Sequence, residues 1–162
     1  MHASITILFL FAISLHNIEE AIWLSRKSLK INKIRIHSAI SQDVFLFGLL
    51  LVTSLAYLVT ILYIFHPSNF ILKYTYFGFL NAMIINIIFP HLISTIIERC
   101  YSPGLLTGII VLIPTNTSII HLGFASNTIN LVNFLLATVI VNVILFFIIS
   151  LSFKLGKKLI TF

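Results

Sequence analysis

Acidic side chains are almost missing from this chain: Glu19, Glu20, Asp43 and Glu98 are the four among 162 residues, against ten Lys and Arg. Charges of both signs make up only 9% of it, which excludes a disordered chain or a coiled coil, since both need a heavily charged, solvated surface. A single cysteine, Cys100, excludes a disulfide scaffold. In place of charge the chain has 59% hydrophobic residues and a mean hydropathy of +1.13, more apolar surface than a soluble domain of this length can hide. The composition predicts a protein embedded in lipid. No internal repeat or low-complexity tract is visible.

A spanning helix needs about 20 apolar residues, and five such stretches occur near 4–24, 44–65, 70–97, 105–124 and 130–153. The fold expected is all-α: one membrane domain over 1–162, a polytopic integral membrane bundle of five transmembrane helices. Its boundaries have local causes. Arg26, Lys27, Lys30, Lys33 and Arg35 close the first span, His66-Pro67-Ser68-Asn69 reads as a turn, and Tyr101-Ser102-Pro103-Gly104 breaks the chain before the fourth span. With the N-terminus out and the C-terminus in, nine of the ten basic residues fall inside and only Lys73 falls outside. The net charge of +6 is thereby a topology signal in a multi-pass plasma (cell) membrane protein, and no nucleic-acid partner is needed to explain it. Met1-His2 lacks a basic leader region, so the first span is expected to be retained. The basic inner loop 25–43 alternates cations with Leu29, Ile31, Ile34 and Ile36, as expected of an interfacial segment lying on anionic lipid head groups of the bilayer.

Three of the four acids sit at the inner ends of spans. A carboxylate at a helix centre costs about 2.5–3.5 kcal/mol on insertion scales, and Glu19 and Glu20 also face the negative end of their helix dipole. They are badly placed for stability alone. His16, Glu19 and Glu20 are spaced i, i+3, i+4 and project from one helix face, which Trp23 continues as a wall. At about 1.5 Å per residue, His16 lies about 12 Å above the inner end of its span, and His91 lies about 10 Å above Glu98 on the third span. The two histidines are therefore expected at one depth. Pro90 cannot bond to the carbonyl of Asn86, so it bends the third span there and leaves a polar backbone group beside His91. A further polar layer near mid-membrane, Asn81, Thr115, Asn116, Thr117 and Asn142, is expected to join helices, and Gly104-x-x-x-Gly108 to permit their close packing.

The order His16-x-x-Glu19-Glu20, an intramembrane His91 and Tyr101-Ser102-Pro103-Gly104 resembles the H-x-x-E-E motif family of predicted membrane proteins of unknown function, described by that motif, a further histidine and a Y-x-P-G signature. The resemblance runs from about Ile13 to at least Thr107. The further histidine is assigned here to His91, with His121 and His66 the other choices. Membership implies no reaction.

The residues themselves suggest a metal-dependent, membrane-embedded enzyme, a hydrolase or oxidoreductase acting on a lipid or membrane-bound substrate. His16, Glu20 and His91 would be the ligands of zinc or iron. Glu19 would act as general base and Glu20 would also be catalytic, while Glu98, Arg99, Tyr101 and Asn86 would contact substrate or support the ligands. In a metal-free variant the paired glutamates would activate water directly. Two other readings remain: a small proton or metal-ion transporter or channel subunit, with oligomerisation, and a non-catalytic accessory protein in which the carboxylates pair with Arg26 and Lys27. Cys100, His2, His37, His66 and His121 are expected to be bystanders.

Overall fold

The computed structural model describes residues 3–27 and 41–160. The interfacial segment expected within 25–43 and the pairing of the acids with Arg26 and Lys27 fall outside the described residues or side chains. Among the described residues the chain is helical throughout, with no strand, and has five helices long and apolar enough to cross a membrane. They are α1 (Ala3–Lys27), α2 (Gln42–Phe65), α3 (Phe70–Glu98), α4 (Leu105–Ala125) and α5 (Leu131–Ile160).

Local chemistry sets the ends. The Ser41 hydroxyl accepts a hydrogen bond from the Val44 N–H at 3.4 Å and Asp43 occupies the first turn of α2, where the helix dipole favours an acid. The Asn69 side chain caps α3 by accepting from the Leu72 N–H at 3.1 Å, and Asn130 does the same for α5 from the Asn133 N–H at 2.9 Å. The last helix continues past the expected end at 153 to Ile160. Lys and Leu are good helix formers, no breaker intervenes, and Gly156 packs against Val44 of α2.

The third span does break where Pro90 predicts. Residues Ile87–Leu92 form a wider π-helical turn in which Phe89 leaves helical geometry (φ −131°, ψ 114°). A second such turn, Gly108–Leu112, opens α4. At that level Gly108 meets Ile87, so close that a Cβ would lie 2.9 Å from the Ile87 side chain, in keeping with small-residue packing between membrane helices.

Lipid tails are as apolar as leucine, so burial of apolar surface does little to hold such helices together; close packing and interhelical hydrogen bonds do. Gly78 of α3 lies directly on the Ala137 backbone of α5, where a Cβ would approach the carbonyl oxygen to 2.8 Å. Asn17 donates to Thr53 (2.7 Å), joining α1 to α2, and Asn81 donates to Thr138 (3.3 Å), joining α3 to α5. The Asn116 amide donates to the Leu80 carbonyl at 2.8 Å, joining α4 to α3. Asn142 instead bonds within its own helix, to the Thr138 carbonyl at 2.8 Å. An aromatic core of Phe9, Tyr63, Tyr76, Phe77 and Phe79 fills the half of the bundle away from the acids.

A candidate metal centre where two motifs meet

His16, Glu19 and Glu20 all point from α1 into the bundle. Their exposures are 1%, 8% and 6%, a degree of burial rare for carboxylates without partners. His91, 6% exposed, enters from the π-helical turn of α3 at the same depth. Its Nε2 lies 2.9 Å from Glu20 Oε1, and its ring stands edge-on to that of His16 with centroids 5.3 Å apart. One ligand atom from each of His16, Glu20 and His91 lies within 4.8 Å of the others. Two ligands held at about 2.0–2.1 Å on one zinc ion stand about 2.9 Å apart at a right angle and about 3.4 Å apart at the tetrahedral angle. The Glu20–His91 pair already has that spacing, and a shift of about 1.5 Å closes even a 4.8 Å pair to the tetrahedral value.

The wall of this cluster is the turn that precedes α4. Gly104 takes a left-handed conformation (φ +87°), and its carbonyl oxygen lies 2.9 Å from His16 Nδ1. A carbonyl only accepts, so Nδ1 carries the proton and a neutral ring keeps its lone pair on Nε2. That Nε2 is buried and, among the described residues, has no hydrogen-bond partner. A buried polar atom left in this state costs about 1–3 kcal/mol. Gly104 is also required by space, because a Cβ there would lie 2.8 Å from both Glu20 Cγ and His16 Cε1.

Ser102 of the same turn places its hydroxyl 3.4 Å from His91 Nδ1, and its N–H donates to the Thr95 hydroxyl at 3.0 Å. Thr95 in turn donates to the His91 carbonyl at 2.9 Å. The Asn86 amide lies 3.4 Å from His91 Nε2. Glu19, expected to act as a general base, is hydrogen-bonded on both oxygens. Tyr101 donates its hydroxyl hydrogen to Oε1, while the Thr107 N–H (2.8 Å) and hydroxyl (2.6 Å) both donate to Oε2. The Tyr101 oxygen also accepts from the Leu106 N–H at 3.1 Å. Trp23, continuing the α1 face, sits against the Tyr101 ring at 6.0 Å.

Of the residues singled out in the sequence, the fold thus gathers His16, Glu20 and His91, with Asn86 beside His91 and Glu19 held by Tyr101. Glu98, half-buried, ends α3, and Arg99 follows it exposed in a left-handed conformation. His121 and His66 are exposed and remote from α1 in sequence. Sequence reasoning passed over Ser102, Gly104, Thr107 and Thr95 as contributors. Their signal was positional: all four lie within about two turns of the break between α3 and α4, at the depth already assigned to the acids.

A family model described as "Protein of unknown function with HXXEE motif" matches residues 7–119, a span that contains every residue of this cluster. The chain is also similar to the uncharacterized protein YrkK of Bacillus subtilis (strain 168), 42% identical over 150 residues that cover 93% of this chain and 94% of that protein. No solved structure matches it.

Proposed function

The chain belongs to the family of proteins of unknown function with an HXXEE motif, and from that premise and the geometry of its site we propose that it is a metal-dependent enzyme embedded in the membrane. His16, Glu20 and His91 hold one zinc or iron ion, in the pattern of two imidazoles and one carboxylate. The observation that carries the reading is the convergence of three buried donors to within 4.8 Å while His16 Nε2 has no partner among the described residues. An ion supplies the missing Lewis acid. Three protein ligands leave coordination positions open, which is the pattern of catalytic rather than structural sites.

The ion when bound polarises a substrate carbonyl or phosphoryl oxygen or lowers the pKa of a water. The protein's own part is to keep the Glu20 carboxylate and the His91 imidazole 2.9 Å apart and to exclude bulk water around them. Because the cluster lies between apolar spans, the substrate is a lipid or a membrane-bound molecule, hydrolysed by water or, with iron, oxidised with dioxygen as the co-substrate that takes up the electrons. With the basic residues inside, the site faces the inner leaflet of the plasma membrane, on the side of Arg99, which suits an anionic head group.

The test is metal analysis of the purified protein. About one zinc or iron per chain is expected, with most of it lost in His16→Ala and in His91→Ala; a wild-type protein that takes up no stoichiometric metal defeats the reading. A transport role would require a polar path through the rest of the bundle. The mid-membrane Asn81 and Asn116 side-chain N–H groups instead bond between helices, and flux of protons or divalent ions in proteoliposomes would reinstate it.

A further inference from the structure

The metal reading does not count Glu19 among the ligands, although it is as deeply buried as Glu20 and held by more donors. Among the described residues its three hydrogen bonds all come from the segment 101–107, the segment that also carries Gly104 against His16 and Ser102 against His91. Tyr101 and Thr107 bracket Gly104 on either side. A carboxylate bonded to both flanks of a turn fixes the turn's height against α1, and with it the position of the one carbonyl that bonds to the His16 ring. Gly104 cannot hold that position by itself, since glycine adds no side chain to pack and its left-handed backbone is one of several it can adopt.

Resting on the metal reading, we propose that Glu19 is a positioning residue. Through Tyr101 and Thr107 it locks the Tyr101–Gly104 turn so that the Gly104 carbonyl holds His16 as the Nδ1–H tautomer, with Nε2 the ligand nitrogen. Ser102 acts on His91 in the same way. A hydroxyl is both donor and acceptor, so it satisfies His91 Nδ1 while Nε2 donates to Glu20 in the metal-free protein, and again, with the roles exchanged, when Nε2 ligates the ion. The first and second glutamates of the motif thus have different work: Glu20 is a ligand, and Glu19 clamps the turn that orients the ligands. Partners of this kind set ring orientation and basicity, and their removal commonly weakens metal affinity about 10–100-fold.

The test uses the full chain in detergent with Co(II) as a spectroscopic probe. Thr107→Val removes the hydroxyl donor but keeps shape and the backbone N–H, Ser102→Ala removes the His91 partner, and Thr107→Ser restores the lost hydroxyl. Cobalt affinity should fall about tenfold or more in the first two and return in the third. Nitrogen-15 histidine spectra of the metal-free protein should show His16 as the Nδ1–H tautomer in the wild type and a tautomer mixture in Thr107→Val and Glu19→Gln, a signature that a purely structural role would not move. If the wild type binds cobalt and Thr107→Val and Ser102→Ala bind it equally well, the positioning assignment is overturned and the metal reading stands. If the wild type gives no cobalt spectrum, both fall together.

Discussion

Replacing Gly104 by alanine puts the joint between the two motifs under direct load. The alanine Cβ would lie 2.8 Å from Glu20 Cγ and 2.8 Å from His16 Cε1, and both side chains are buried and engaged, so neither can yield cheaply. The left-handed backbone at φ +87° adds its own penalty for a residue with a Cβ. Left-handed conformation costs about 1–2 kcal/mol and overpacking of a closed site about 1–3 kcal/mol, so the variant should lose about 2–5 kcal/mol in all. For a chain of this size that is a fall of roughly 5–15 °C in melting temperature, read by thermal unfolding in detergent. Gly156→Ala is the internal control. Its Cβ would meet Val44 Cγ1 at 3.2 Å in ordinary helical backbone, and the gain in helix propensity of about 1 kcal/mol offsets that crowding. If Gly104→Ala melts within about 2 °C of the wild type, the close approach of the turn to His16 and Glu20 is wrong, and the site built on it is wrong as well.

Helix joining and topology give two further expectations. Asn81→Val removes the hydrogen bond to Thr138 and should cost about 0.6–1.7 kcal/mol in reversible unfolding; a loss above about 3 kcal/mol would mean that Asn81 does more than join α3 to α5. In intact cells a membrane-impermeant maleimide should label Ser68→Cys in a Cys100→Ser background, while native Cys100 should react only after permeabilisation. The opposite pattern reverses the orientation read from the basic residues.

Hydropathy made the five helices legible because each span must satisfy its backbone within itself, so length and apolarity alone mark it. Helix periodicity likewise put His16 and Glu20 on one face, and counting rise per residue brought His91 level with them. The turn between α3 and α4 was legible only as a turn. Its part in the site depends on a left-handed Gly104 and on bonds between residues 82 to 88 positions apart, such as Tyr101 and Thr107 to Glu19. No local pattern encodes contacts at that separation. The hydrogen bonds of Glu19 to Tyr101 and Thr107 went unread for that reason, and an exposed helix end at Thr107 would have looked the same in sequence. The end of α5 was misjudged on a different ground: apolarity stops near 153, but helix propensity does not.

X-ray absorption at the edge of the bound metal tests the central claim most directly. A nitrogen and oxygen shell at about 2.0–2.1 Å with the outer-shell scattering of two imidazoles is the expected result. A metal-free protein, or a bound ion whose surroundings contain no imidazole, would contradict it.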